Sequence, residues 1–323
     1  MNDRIEKLEQ AILAKKHWLV VSHLNPDGDA LGSTLAVKHI LEQWNIEHTC
    51  LNLSQIPNKY QILPGIDQIY QPTNLDETFD AVIFVDAADR ERIGIACEQC
   101  IKEDAFIINI DHHATNDQYG MINWVETEAS ATAEIIYQWV EYSNRIDWNS
   151  FLATSVYTGI LTDTGGFRYS NTTPDVMRYA SNLLEKGVQG HELADILLET
   201  TTLPALELLQ RALTHLQVDG SIAWTQIDQH ELNEANAVES DTAGIVNYAR
   251  NLEGVDVGIL FREVEPDVIK VSLRSRLETD VASIASYFGG GGHTRAAGCT
   301  IKGKLPQVVE RVIKHVQKEQ GRA

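Results

Sequence analysis

Four short segments bring acids and imidazoles close together. "SHLNPDGD" (22–29) carries His23, Asp27 and Asp29, "VDAAD" (85–89) carries Asp86 with Asp89 behind it, "DHH" supplies Asp111, His112 and His113, and "GILTDTGG" (159–166) carries Asp163. Carboxylates and imidazoles are the donors that hold divalent cations. Each segment alone has a plainer explanation. Asn-Pro-Asp-Gly favours a turn, Asp86 suits a helix cap, and "DHH" fits a surface loop. Together they argue otherwise, because acids gathered at one place repel strongly unless cations neutralise them. The set is oxygen-rich, with a few imidazoles and no nearby thiolate, which suits Mn²⁺ or Mg²⁺ better than structural zinc. The donors exceed what one ion needs. Two ions about 3.5–4 Å apart, sharing one carboxylate, would use them all. Such a pair acidifies water and stabilises charge on a phosphoryl oxygen, which is the chemistry of phosphate-ester hydrolysis. Asp163 falls at the end of an expected helix, where the dipole disfavours an acid, and a nearby cation would offset that cost.

The elements that must position these groups alternate between strand and helix. "HWLVVSH" (17–23), "EHTCLNL" (47–53), "FDAVIFVDAAD" (79–89) and the run before Asp111 read as strands. Gly28 to Trp44 reads as a helix with Leu31, Leu35, Val37, Ile40 and Leu41 mostly on one face. Further helices are expected at 130–143, 149–162 and 173–187. Continuous apolar strands alternating with helices predict an α/β fold with a parallel, doubly covered sheet. In such a sheet, ligands bind outside the carboxyl ends of the strands, and three of the four segments sit at such ends. From about residue 216 the pattern changes. "LQVDGSIAWTQI" reads as a hairpin around Asp219-Gly220, and two alternating strands flank Glu265-Pro266-Asp267. A smaller α+β domain with helices on one side is therefore expected. The boundaries read as a catalytic domain over 1–187, a connecting helix over 188–205 broken at Pro204, and a second domain over 206–323, with the active-site cleft between the domains.

The 323 residues suit two domains. A net charge of −20 argues against tracking along a long polyanion, which needs a basic stripe, but leaves room for a small anionic substrate at a metal centre. Cys97 and Cys100 form a CxxC pair, but Cys50 and Cys299 lie far from it, so a four-cysteine zinc site is not expected. Isolated thiols suit a reducing cytoplasm. No apolar run approaches the roughly 18 residues of a membrane span. The charged N-terminus reads as an amphipathic helix rather than a signal peptide. A cytoplasmic protein without a membrane partner is the expectation.

The motifs "SHLNPDGDALGS", "VDAAD", "DHHATN" and "GILTDTGGFRYSNT" resemble the four motifs of the DHH phosphoesterases, and "GGGGHTRAAG" (289–298) resembles the glycine-rich loop of the DHHA1 domain that accompanies them. They arrive in the family's order and span nearly the whole chain. The size and layout are similar to the short branch acting as nano-RNases and 3′-phosphoadenosine 5′-phosphate (pAp) phosphatases, a branch that includes enzymes cleaving linear or cyclic dinucleotides. The resemblance implies that His23 and Asp27 hold one Mn²⁺, that Asp29, His112 and Asp163 hold the other, and that Asp86 bridges, with Mg²⁺ or Co²⁺ as substitutes. It places His113 beside the substrate phosphate, donating a proton or neutralising charge, and Asp111 behind a histidine as its orienting partner. Gly290, Gly291 and Gly292, with Gly289 before them and His293 and Arg295 after, read as mobile backbone amides beside cations, an anion nest. No Walker sequence follows. Arg274 is a further phosphate partner, as is Arg168 after the last metal motif. Short RNA or DNA oligonucleotides or pAp are the implied substrates, and a homodimer is left open. Of the rivals, an inorganic pyrophosphatase of the same superfamily lacks this glycine loop. A processive exonuclease resembling RecJ needs a further nucleic-acid-binding module. A sensor that binds without cleaving would not need every ligand intact.

Overall fold

The computed structural model describes residues 2–72 and 77–321. The chain divides into two compact units, 1–200 and 201–323. The first comprises α1 (Asn2–Leu13), β1 (His17–Val21), α2 (Gly28–Gln43), β2 (Glu47–Leu51), β3 (Ile69–Tyr70), β4 (Phe79–Val85), α3 (Ile95–Glu98), β5 (Ile101–Asp111), β6 (Ile122–Val125), α4 (Thr132–Tyr142), α5 (Ser150–Asp163), α6 (Pro174–Glu185) and α7 (Gly190–Ala194). Its strands pair in the order β3-β2-β1-β4-β5-β6, every pair parallel. The order reverses between β1 and β4, the point at which a doubly wound sheet opens a crevice at its carboxyl edge.

Both faces of this sheet are covered, which is why its strands are apolar at successive positions. Trp18, Val20, Ala81, Ile83 and Val85 pack into a large core with α1, α2, α4 and α5. Leu19, Val21, Val82 and Phe84 face a thinner layer that includes Ile93, Cys97 and Cys100. The amphipathic expectation for α2 is corrected here, since every residue from Gly28 to Leu41 is buried, Lys38 and His39 included. The helix runs through the middle of the core, and the Glu42 carboxylate takes both Lys38 Nζ and His39 Nδ1 at its rim. All four cysteines are free and buried. Burial pushes the Cys97 thiol up to about 12 and that of Cys100 above its usual value, which disfavours the thiolate at both.

The helix α2 lies unusually close to α5. A Cβ on Gly32 would meet the Ser155 carbonyl oxygen at 2.5 Å. One on Gly159 would meet Ala133 Cβ and Asp29 Oδ1, each at 2.5 Å. These glycines let the two helices bring the N-terminal turn of one and the C-terminal turn of the other to the same rim of the sheet.

After α7 the chain makes one π turn (Asp195–Glu199) and breaks at Thr200–Thr202. Pro204 does not break a helix as expected. It sits in the first turn of the next one, where its missing N–H costs nothing. The second unit comprises α8 (Leu203–Thr214), β7 (Gln217–Asp219), β8 (Ile222–Ile227), α9 (Gln229–Glu234), α10 (Ile245–Arg250), β9 (Val257–Glu265), β10 (Val268–Ser275), α11 (Val281–Tyr287), β11 (Gly291–His293), β12 (Ala296–Lys302) and α12 (Leu305–Glu319). Its sheet is mixed, ordered β11-β12-β10-β9-β8-β7, with β8 and β9 parallel and the other pairs antiparallel. The expected one-sided helix layer is also corrected. Helices α11 and α12 cover Ile259, Phe261, Val271 and Leu273 on one face, while α8 and α10 cover Ala223, Ile227 and Leu260 on the other. The parallel β8–β9 crossover carries α9 and α10 over that second face.

Candidate metal centre

Strand β1 ends at Val21, β4 at Val85 and β5 at Asp111, and these three strands are neighbours in the sheet. Their C-terminal extensions therefore deliver His23, Asp86 and the Asp111-His112-His113 run to one rim. Asp86 takes a left-handed backbone, φ 55°, while its amide still donates to Ile110 O at 3.0 Å. That conformation is uncommon for a residue with a Cβ, and here the chain turns off the sheet while keeping its last pairing bond. The first turn of α2 adds Asp27 and Asp29, and the end of α5 adds Asp163.

The imidazole and carboxylate atoms converge. His23 Nε2 lies 3.4 Å from Asp86 Oδ2 and 3.9 Å from Asp27 Oδ1. His112 Nε2 lies 3.4 Å from Asp163 Oδ2, 3.6 Å from Asp86 Oδ1 and 4.0 Å from Asp29 Oδ2. Two donor triplets result, His23–Asp27–Asp86 and Asp29–His112–Asp163, and within each the donor atoms lie within 4.8 Å of one another. A third, Asp86–His112–His113, joins them. The two oxygens of Asp86 thus face opposite triplets. Donors around one ion at about 2.1 Å are at most roughly 4.2 Å apart, so small side-chain rotations suffice for either triplet to close on a cation.

The second nitrogen of each histidine is also anchored. His23 Nδ1 pairs with Leu24 O at 2.7 Å and His112 Nδ1 with Ala129 O at 3.3 Å, which turns both Nε2 atoms toward the carboxylates. His113 Nδ1 pairs with Asp111 Oδ1 at 2.7 Å and lies 3.6 Å from Asp86 Oδ1. Asp111 is fully buried, and its other oxygen accepts from Asn116 Nδ2 at 2.6 Å. Asn116 Nδ2 also lies 2.8 Å from Asn109 Oδ1, inside β5.

Electrostatically the cluster favours bound positive charge. Burial, together with repulsion from Asp86 and Asp27, raises the Asp29 carboxyl well above its usual range, against the pull of the Ala133 and Thr132 amides. Burial and the neighbouring acids Asp29, Asp27 and Asp86 do the same to Asp163. Burial also works to raise Asp86. The hydrogen bond and charge of His23, with the charges of His112 and His113, outweigh it and hold that carboxyl far below its usual range. For His23, burial is outweighed by Asp86 and Asp27, and the imidazole rises to about 9. Buried acids that repel one another beside the His23 imidazole, which holds its proton, are a donor set short of cations, and a divalent metal fits it.

The simpler explanations also hold in part. Asp27 Oδ1 caps α2, accepting from the amides of Asp29 and Ala30 at 3.0 and 3.1 Å. Asp89 caps a short 3₁₀ turn through Arg92 N and stays out of the cluster. Arg168 bends back to its own turn, with Nε donating to Gly165 O at 2.5 Å.

The second unit treats its glycines differently from the expectation of mobile amides. Gly291 and Gly292 belong to a strand paired with β12, and the amides of Gly289 and Gly290 donate to Ser286 O and Ala285 O at the end of α11. A Cβ on Gly290 would lie 2.1 Å from Gly298 O, so this glycine is present for close packing of the turn on β12. Arg274 sits on β10 opposite Ala296, and its Nη1 donates to Leu273 O at 2.9 Å. Arg295 Nη1 reaches Thr279 O at 3.0 Å. The side chain of His293 lies outside the described residues.

Residues not singled out as candidates in sequence complete the rim. Thr132 touches both Asp86 and Asp29, and Asn171 Nδ2 links Ser130 O to Asp163 O at 3.1 and 3.2 Å.

A parallel sheet with this donor set at its switch point, followed by a mixed-sheet unit bearing a glycine hairpin, defines a two-part architecture that sequence comparison identifies. Residues 17–160 match the DHH family, N-terminal domain, and residues 220–320 match the DHHA1 domain. The chain belongs to the DHH family. Among its relatives is the bifunctional oligoribonuclease and PAP phosphatase NrnA of Thermus thermophilus, 35% identical over 94% of this chain and 90% of that one. NrnA of Bacillus subtilis is 30% identical over 86% and 87%. A crystal structure of an exopolyphosphatase-related protein from Bacteroides fragilis superposes with a TM-score of 0.89 at 24% identity, covering 99% of this chain and 96% of that one, and supports the fold. DHH phosphoesterases are metal-dependent, and this chain carries the clustered acids and histidines for it.

Proposed function

We propose that the chain hydrolyses phosphate esters of short oligonucleotides, as an exonuclease, and of pAp to give AMP, using two Mn²⁺ ions. The observation that carries this reading is Asp86, whose two oxygens face two separate donor triplets. His23 and Asp27 would hold one ion, Asp29, His112 and Asp163 the other, and Asp86 would serve both. An oxygen- and imidazole-rich set without thiolate favours Mn²⁺, with Mg²⁺ or Co²⁺ as substitutes. Bound there, the ions lower the pKa of water and neutralise charge on a phosphoryl oxygen. The chain's own contribution is to orient. His113, held by Asp111 at 2.7 Å, presents its remaining nitrogen to a substrate phosphate as a proton donor or as fixed positive charge. Arg274 and the hairpin with Gly290, Gly291, Gly292 and His293 supply nucleotide recognition in the DHHA1 domain, through pairing of guanidinium with phosphate.

The relatives named as oligoribonuclease and PAP phosphatase support the same substrates here. The net charge of −20 argues against a long polyanion as substrate and leaves room for a small anionic one at a metal centre, and a cytoplasmic setting is part of the proposal. The test is to incubate the purified protein with Mn²⁺ and, separately, pAp, linear diadenylate, a labelled pentanucleotide and a long labelled oligomer. Release of inorganic phosphate from pAp and of mononucleotides from the short oligomers is expected. Cleavage of the long oligomer alone, or of none, refutes the reading.

A further inference from the structure

Helix α4 begins without a side chain of its own to cap it, because its N-cap residue is Ala131. The cap comes from another helix. Thr132 N donates to Asp29 Oδ2 at 2.6 Å, and Ala133 N donates to Asp29 Oδ1 at 2.9 Å. The Thr132 hydroxyl donates at 3.1 Å to Asp86 Oδ1, the oxygen that faces His112. Thr132 is fully buried. One residue therefore holds an acid of the second triplet through its amide and the shared acid through its hydroxyl. We infer that Thr132 is a positioning residue for the metal centre, and that its hydroxyl fixes Asp86 in the orientation that serves both donor triplets.

The reasoning is geometric. A carboxylate on a short side chain rotates easily about its last torsion, which is broad and roughly two-fold. Asp86 Oδ2 is steered by His23, 3.4 Å away. Oδ1 is otherwise approached by His112 Nε2 and His113 Nδ1 at the longer distance of 3.6 Å, so without the hydroxyl the plane of the carboxylate is less firmly fixed. The hydroxyl proton occupies one acceptor direction of Oδ1 and leaves another toward His112. Threonine suits the task because its β-branched side chain has few rotamers in a helix. Groups that orient the residues around a metal typically change affinity or activity by about 10–100-fold when removed.

This inference rests on the two-ion reading above, and the experiment separates them. Wild type, Thr132→Val and Thr132→Ser are titrated with MnCl₂ after chelation, followed by calorimetry and by the EPR signature of a coupled manganese pair, with circular dichroism as the check on folding. Wild type is expected to bind two ions and show the coupled signal. Val keeps the shape and both amide bonds to Asp29 but removes the donor. It is expected to keep one ion near wild-type affinity, weaken the other by about 10–100-fold and lose the coupled signal, with kcat falling more than KM rises. Ser restores the hydroxyl and should recover the second ion. A Val variant that binds both ions as wild type does overturns the inference alone. So does a Ser variant that loses the second ion to the same extent as Val, because packing would then be the cause. If Val does not fold, the comparison is made between Ser and Thr132→Ala, and equal binding in those two overturns the inference. A wild type that never binds two ions overturns the reading beneath it.

Discussion

The closeness of α2 and α5 makes Gly159→Ala a sharp test of how the centre is built. The added methyl would sit 2.5 Å from Asp29 Oδ1 and from Ala133 Cβ. Ordinary carbon contacts begin near 3.5 Å, so something must move by about 1 Å. Little slack is available. Gly32 is already locked against the Ser155 carbonyl on the same helix pair, and Asp29 is held by the amides of Thr132 and Ala133. Overpacking of this kind costs about 1–3 kcal/mol, and replacing glycine by alanine inside a helix returns about 1 kcal/mol. The net destabilisation is thus about 0–2 kcal/mol, or a few degrees in Tm for a unit of this size. The effect on turnover should be far larger, because a displacement of about 1 Å at a reacting site costs on the order of 100-fold. The assay is kcat against pAp with saturating Mn²⁺, alongside a melting curve. A drop of about 100-fold in kcat with a cooperative transition a few degrees lower is the expected outcome. A folded Gly159→Ala protein with wild-type kcat would refute the placement of Asp29 at the centre. Activity lost only in proportion to unfolding would refute the argument that the helix gap serves the site.

Three further outcomes follow from the same geometry. Asp86→Ala should lower kcat by more than about 1,000-fold and reduce Mn²⁺ stoichiometry below two, since both ions lose a ligand; calorimetry and turnover together check it. His113→Gln should lower kcat by about 100-fold or more, whereas Asp111→Ala, which frees the His113 ring and also removes the acceptor of Asn116 Nδ2, should cost about tenfold; equal losses in the two variants would count against His113 touching substrate. The third concerns pH. The His23 imidazole rises from 6.5 to about 9 on folding, so its contribution to stability is complete below pH 6.5 and is lost as pH rises through about 9. Asp29 and Asp163, also raised, act in the same direction, while the lowered Asp86 acts only in acid. The metal-free protein should therefore melt at progressively lower temperature from pH 6.5 to 9, and the rise in Tm on adding Mn²⁺ should grow over that window. A melting shift independent of pH would contradict it.

The rim of the first sheet was legible in sequence because its two signals are local. Apolar runs mark the strands, and an acid or histidine follows within two residues of Val21, Val85 and Ile110. The doubly wound arrangement then follows from the alternation of elements, without knowledge of any long-range contact. What escaped is tertiary in origin. Nothing near Thr132 points to Asp86 or Asp29, which are 46 and 103 positions away in sequence. The spacing of Leu31, Leu35, Val37, Ile40 and Leu41 gave α2 a single apolar face, whereas Lys38 and His39 are buried as well and both reach Glu42. The glycines of 289–292 read as mobile because composition alone cannot distinguish a residue chosen for freedom from one chosen for lack of bulk. Gly290, pressed against the Gly298 carbonyl, is of the second kind. The same ambiguity runs through the metal centre itself. Asp27 is a helix cap and a donor of the first triplet, and Asp29 is the cap of a neighbouring helix and a donor of the second. The two readings posed by the sequence, turn-former and candidate ligand, are therefore compatible in one residue. An acid whose amide bonds already fix its direction reaches a cation with less orientational freedom to lose, so the capping bonds of α2 and α4 are also what preorganises the two triplets.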